Sequence, residues 1–141
     1  MNYEPDPIPI ENQDFLDKGQ YDNFIGIYTE AVPRNFCNWL KEYMDNTSLI
    51  SYDSKFVKDK RISMEAFSPK ESADLMQHVN DCLVRYCNEY PCLKGYDYLS
   101  ANVNLQKTSS MEGYHVFHCE NDGWQVKDRT LAWMVYLNTV P

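Results

Sequence analysis

Residues 101–120, ANVNLQKTSSMEGYHVFHCE, carry the pattern that decides the fold of this chain. They predict two strands joined by a turn-rich loop, and the second strand runs from Tyr114 to Glu120. Because side chains two positions apart on a strand share a face, we expect His118 and Glu120 to lie side by side. An imidazole beside a carboxylate suits a divalent metal ion. Taken alone, the H-x-E spacing favours a hydrogen-bonded strand histidine next to a solvated acid.

Length and charge narrow the function classes. With 141 residues, the chain can form one domain around a single core. Its 21 acidic and 13 basic residues give a net charge of −8, which disfavours nucleic acid and anionic membranes as partners. The sequence predicts neither a secretory signal nor a membrane span. Five cysteines without C-x-x-C spacing indicate free thiols, so we expect a cytoplasmic protein.

The first half of the chain predicts an arm, a short strand and a helix. Residues 1–22 are rich in proline and acids and predict an extended arm, which leaves 23–141 as the domain. Residues 24–28 predict a strand. Pro33 is suited to the first position of a helix. Apolar residues then recur at helical spacing, namely Phe36, Trp39, Leu40, Tyr43 and Met44.

A second helix is predicted from Pro69 to the residue before Pro91. Ser68 and Glu71 fit a capping box at its start. Its apolar stripe consists of Met76, Val79, Leu83, Tyr86, Cys87 and Tyr90. Between the two helices, residues 49–67 predict a loop and a short strand around 61–67.

After residue 98 the pattern changes to period two. Residues 98–106 predict a strand with Val103 and Leu105 on an apolar face and Asn104 and Gln106 on a polar face. We expect the apolar face to pack on the helices and the polar face to look into a cavity, although one merely solvated face is also compatible with this pattern. Residues 129–138, RTLAWMVYLN, predict a final strand.

Several of these segments together resemble the iron(II)/2-oxoglutarate-dependent oxygenases, and specifically the prolyl 4-hydroxylase-like branch of bacteria and their phages. The resemblance covers about residues 24–141. The segments that carry it are the run N-x-N-L-Q-K-T, the loop ending in Glu112-Gly113-Tyr114, H-V-F-H-C-E, and the R…YLN strand, and it is most specific between Asn104 and Asn138. In that family a G-Y precedes H-x-D/E, and an R…YLN strand follows.

The resemblance implies a fold and a site. It implies an α+β domain in which two N-terminal helices flank a double-stranded β-helix, or jelly roll. It implies that His118 and Glu120 bind iron(II), and that 2-oxoglutarate and O₂ are co-substrates of a hydroxylation. By the same resemblance, Tyr136 contacts the far carboxylate of 2-oxoglutarate, while Met134 and Gln106 line its pocket. The implied partner is a small-molecule or peptidyl substrate.

This sequence departs from the family pattern in two respects, which affect the predicted metal ligand and the predicted fold. Glu120 stands where most members have Asp, and family members continue beyond the residue equivalent to Pro141 with strands that carry a second histidine and a basic anchor. We therefore expect an incomplete jelly roll, the N-terminal portion of an oxygenase domain. Its open sheet edge would favour a homodimer. The alternatives are a non-catalytic module that binds a partner or dimerises, and a cupin-like zinc or sugar-binding jelly roll.

Overall fold

The computed structural model describes residues 19–63, 69–98, 103–120, 123–124 and 127–139. These residues form an α+β structure with two helices and small antiparallel sheets. In chain order the elements are β1 (Gln20–Asp22), β2 (Ile25–Ile27), α1 (Arg34–Asp45), β3 (Ile50–Asp53), β4 (Val57–Ser63), α2 (Pro69–Glu89), a 3-10 turn (Pro91–Leu93), β5 (Asn104–Lys107) and β6 (Gly113–Tyr114). None of the helices described has the length and apolar character that a membrane span requires.

Helix α1 supplies most of the core. Phe36, Leu40 and Met44 recur every four residues on one face, and each is less than a tenth exposed. The predicted stripe of α1 is therefore confirmed. The helix begins at Arg34, one residue later than predicted, because Pro33 has an extended ψ of 140° and stands outside it. Leu75 of α2 completes the core, although it precedes the predicted stripe of that helix.

The C-terminal half of α2 packs on the β1–β2 hairpin rather than on this core. The ring of Tyr90 lies 4.9 Å from that of Phe24, measured between centroids. The hydroxyl of Tyr86 donates to the Phe24 carbonyl at 2.5 Å. Strand β1 includes the last residues of the predicted N-terminal arm; residues 1–18 of that arm and the predicted helix cap Ser68 lie outside the described residues.

Strand β4 is the centre of the larger sheet, and it pairs antiparallel with β3, β5 and β6. The prediction of a loop from residue 49 to about 60 is wrong, since a β3–β4 hairpin occupies residues 50–63. The strand predicted around 61–67 coincides with the end of β4 in residues 61–63, and its residues 64–67 lie outside the described part of the chain. The turn of the hairpin is held by the Ser54 hydroxyl, which accepts from the N–H groups of Phe56 and Val57 at 3.2 Å. The many charged residues in these strands interrupt the hydrophobic alternation that would predict a hairpin.

The two faces of the sheet differ in chemistry. Val103 and Leu105 pack against the core of α1 and α2, as predicted. On the same side, Lys107 forms a 2.5 Å ion pair with Asp45 at the end of α1. Paired residues of antiparallel strands share a face. The register of β4 with its neighbours therefore places Asp59 and Arg61 on the opposite face, together with Tyr52, Gln106 and Tyr114.

A short excursion interrupts the pairing along β4. Lys60 pairs with Lys107 and Lys58 pairs with Gly113, so residues 108–112 leave the sheet opposite Asp59. The carboxylate of Glu112 accepts from the Ser109 N–H at 3.0 Å and closes this excursion. Gly113 returns the chain to the sheet with φ of +123°, a conformation that disfavours any side chain.

The long strands predicted for residues 114–120 and 129–138 are wrong. β6 ends at Tyr114, and residues 129–138 have no strand hydrogen bonds. A strand needs a partner for its backbone groups, and among the described residues β4 provides one only as far as Val57. The side chains of this segment nevertheless alternate between the core and the solvent, as predicted. Val135 and Leu137 pack on the core, while Met134 and Tyr136 are exposed. The described strands form open sheets, so the jelly roll stays a prediction.

The hydrogen bond from Ser109 should make the 108–112 excursion sensitive to acid. This bond lowers the pKa of Glu112 below its ordinary value, and Lys58 and Lys60 contribute further. The ionised carboxylate of Glu112 therefore stabilises the excursion fully above the pKa of Glu112 in the unfolded state, which is about 4.3. This stabilisation is lost as the pH falls through the lower pKa of Glu112 in the folded state. We expect the amide proton shift of Ser109, followed by NMR, to titrate with a midpoint below about 4.3.

The matched control is Glu112→Gln, whose side chain can still accept from the Ser109 N–H but carries no titrating proton. In that variant the Ser109 amide shift should stay flat through the same pH range. A midpoint in the unsubstituted protein at or above the ordinary glutamate value would contradict the prediction.

Candidate metal site

His118 follows β6 and is held by its own segment of chain. Its ring stacks on that of Tyr114, with centroids 4.2 Å apart and planes inclined by 24°. Its Nδ1 lies 3.3 Å from the carbonyl oxygen of Val116. Because a carbonyl can only accept, Nδ1 is placed to donate, which leaves the lone pair of Nε2 free in the neutral imidazole. Ligating histidines are commonly oriented in this way.

Glu120 directs one carboxylate oxygen toward this imidazole and the other toward Arg129. Its Oε1 lies 3.5 Å from Nε2 of His118. Its Oε2 accepts from Nη1 of Arg129 at 3.2 Å, and the same nitrogen lies 3.4 Å from the Glu120 carbonyl. The sequence-based expectation that His118 and Glu120 lie side by side is thus met geometrically, although no strand places them there.

This geometry allows two chemical states. With a neutral imidazole, Nε2 and Oε1 are two electron-pair donors facing each other, and a cation between them would be stabilised. Donors 3.5 Å apart can both reach one ion at bond lengths of about 2.0–2.2 Å, the range known for zinc. With a protonated imidazole, the same contact is an ion pair. Since the side chains of His118 and Glu120 are 37% and 53% exposed, such a pair contributes only about 0.2–1 kcal/mol.

The residues described offer two metal ligands rather than three. Within them, no group of three or more His, Cys, Asp and Glu side chains converges. His78 lies on α2, and the backbone of His115 donates to the Phe56 carbonyl at 2.8 Å beside β6. The chemistry of the donor set therefore fits iron(II) in part, because a facial triad requires one more ligand.

An open depression of about 220 Å³ lies beside the carboxylate of Glu120. It is lined by Glu120, Arg129, Thr130, Leu131 and Ala132. This volume is below the range of about 300–1,000 Å³ that drug-sized ligands occupy. The depression is therefore a shallow surface feature that is smaller than a drug-sized pocket.

The predicted co-substrate residues are not gathered around this pair. Met134 and Tyr136 are 77% and 70% exposed, and the hydrogen bonds and ring contacts of the described chain join neither of them to His118 or Glu120. Gln106 instead donates its side-chain N–H to Asp59 at 3.1 Å. Their roles toward 2-oxoglutarate stay predictions.

The sequence analysis did not predict a polar cluster of Asp59, Arg61 and Tyr114, which contacts His118 through Tyr114. Asp59 is only 3% exposed, and Arg61 binds both of its carboxylate oxygens at 2.7 Å. Arg61 also donates to the hydroxyl of Tyr114 at 3.2 Å, and Tyr114 stacks on His118. A signal was present in the run VKDKRIS, where Asp59 and Arg61 are two positions apart and so share a strand face.

The chain has no match among protein-family models, curated proteins or solved structures.

Loss of Arg61 should destabilise the fold strongly. Arg61→Met leaves the carboxylate of Asp59 buried without its charge partner, which typically costs about 3–5 kcal/mol. The side chain of Asp59 is only 1% exposed in the folded protein, so its charge is compensated by protein donors rather than by solvent. Urea denaturation gives the free energy of unfolding. Arg34→Met is the matched control, because Arg34 meets Glu30 at 4.0 Å in a pair exposed by 88% and 76%; its loss should cost less than about 0.5 kcal/mol.

A double-variant cycle separates charge burial from lost packing. Adding Asp59→Leu to Arg61→Met removes the buried charge together with its partner, so the double variant should be more stable than Arg61→Met alone. The prediction fails if Arg61→Met costs no more than Arg34→Met, or if Asp59→Leu makes Arg61→Met still less stable.

Proposed function

We propose that this chain is an iron(II)- and 2-oxoglutarate-dependent dioxygenase of the prolyl 4-hydroxylase type. The proposal includes the double-stranded β-helix as its fold. Its main support is the convergence of His118 Nε2 and Glu120 Oε1 at 3.5 Å, with Nδ1 satisfied by the Val116 carbonyl. The G-Y and R…YLN segments around these residues give the second line of support.

In this proposal each residue of the site has a defined task. His118 offers a neutral nitrogen ligand, and Glu120 offers a negative charge that offsets part of the charge of the ion. Arg129 holds Oε2 of Glu120 and leaves Oε1 directed at His118. When bound, iron(II) with 2-oxoglutarate and O₂ supplies the oxidation of a C–H bond in a small-molecule or peptidyl substrate.

We propose that the small co-substrate binds in the depression lined by Glu120, next to the ligand pair. Leu131 and Ala132 form its apolar part, and Arg129 and Thr130 its polar part. Tyr136, Met134 and Gln106 do not line this depression, so their co-substrate roles rest on the sequence resemblance alone.

The proposal is tested first by metal binding under anaerobic conditions. Calorimetric titration with Fe²⁺, and with air-stable Mn²⁺, should show one site per chain. His118→Ala and Glu120→Ala should each weaken binding at least tenfold, because each removes one of two ligands. Glu120→Asp should retain binding, since Asp is the usual residue of the family at this position. His78→Ala is the control, because His78 lies on α2 away from the pair.

Turnover provides the second test. Formation of succinate from 2-oxoglutarate with Fe²⁺ and O₂ should depend on His118 and Glu120. Metal binding that is unchanged in His118→Ala would refute the proposal. Zinc bound in preference to iron, without succinate formation, would favour the cupin-like alternative.

A second candidate function is a non-catalytic module that dimerises through its open sheet edge. The observation that favours it is β3, which pairs only with β4 in the described part of the chain and has all four residues exposed. Ile50 and Tyr52 on this edge are 64% and 44% exposed. An unpaired edge with apolar side chains favours pairing with another strand.

Sedimentation equilibrium tests this candidate directly. The unsubstituted chain should be a dimer, and Ile50→Lys should make it a monomer because a charge on the edge opposes strand pairing. Val84→Lys is the matched control, since Val84 is 61% exposed on α2 rather than on the edge. A monomeric unsubstituted chain would exclude edge dimerisation.

A further inference from the structure

Asp59 is held by hydrogen bonds on the face of the sheet that also carries Tyr114, the residue on which His118 stacks. Its carboxylate is buried at the middle of β4, opposite the excursion of residues 108–112. Two parallel hydrogen bonds of 2.7 Å join it to Arg61, and Gln106 adds a third of 3.1 Å. Bidentate pairing of this kind fixes both the position and the plane of the guanidinium.

The guanidinium of Arg61 is in turn held between two aromatic rings. Its central carbon lies 4.7 Å from the ring centroid of Tyr52 and 5.7 Å from that of Tyr114. Both distances lie within the range of cation–π attraction. One guanidinium nitrogen also donates to the Tyr114 hydroxyl at 3.2 Å. Arg61 thus connects β3, β4 and β6 through a single planar group.

Tyr114 contacts both Arg61 and the candidate metal ligand His118. Its ring stacks on the imidazole of His118 at 4.2 Å, although both side chains are partly exposed. β6 ends at Tyr114, so the backbone of His118 has no sheet pairing to hold it. The stack on Tyr114, the Val116 carbonyl and the Glu120 carboxylate contact the imidazole, and of these the stack lies against the face of the ring.

We propose that Tyr114, anchored by Arg61, is the positioning residue that orients His118 for metal binding. This inference rests on the proposed function of His118 as a ligand. Neighbours that orient a ligating histidine commonly change metal affinity by about 10–100-fold when removed. Tyr114 orients through its ring face, and Arg61 acts one step further away by holding Tyr114.

The experiment combines a metal-free and a metal-bound measurement on the full chain. In NMR spectra of the metal-free protein, the imidazole protons of His118 should be shifted upfield by the ring current of Tyr114. Tyr114→Leu should abolish this shift and weaken Mn²⁺ binding about tenfold or more. Tyr114→Phe keeps the ring but loses the bond from Arg61, so it should retain most of the shift and bind Mn²⁺ within a few-fold of the unsubstituted protein.

Tyr96→Leu is the control, because Tyr96 is 67% exposed and its ring contact is with Tyr98. Circular dichroism establishes that each variant is folded. If the His118 protons keep their shift in Tyr114→Leu, or if that variant binds Mn²⁺ as tightly as the unsubstituted protein, the positioning role is overturned. If the unsubstituted protein binds neither Mn²⁺ nor Fe²⁺, the proposed function itself fails, whatever the ring-current shift shows.

Discussion

The carboxylate of Asp59 lies in the central strand with 1% of its side chain exposed, and it must be matched there by hydrogen-bond donors. Arg61 and Gln106 provide them from β4 and β5. This requirement fixes the register of the sheet. A slip of β4 by one residue would turn Asp59 toward the apolar face that carries Leu105, where a charge has no donor.

Strand β4 therefore has an apolar face and a charged face. Toward α1 and α2, the sheet packs the partly buried Leu105 against the core of Phe36, Leu40 and Leu75, and this apolar burial stabilises the fold. The other face carries Asp59 and Arg61, and it stays partly open to solvent. A candidate binding site can form on the second face without disturbing the first.

Beyond Tyr114 the chain is organised by side chains rather than by strand pairing. His118 stacks on Tyr114 and meets Glu120, and Glu120 meets Arg129 nine residues later. Each contact is partly exposed and individually weak. Tyr114 also accepts a hydrogen bond from Arg61, which binds the buried carboxylate of Asp59. The segment is thus joined to the sheet next to its buried charge.

The sequence by itself determined the two helices and their buried faces, because helical periodicity is a local property that needs no distant partner. It also predicted that His118 and Glu120 meet, although the contact arises without the strand alternation on which that prediction was based. The extent of the strands, the β3–β4 hairpin and the role of Arg129 followed only from the tertiary structure. The link between Arg61 and Tyr114 joins residues 53 positions apart. Strand pairing and ion pairs of this kind depend on which segments meet in space, and no local pattern of residues specifies that.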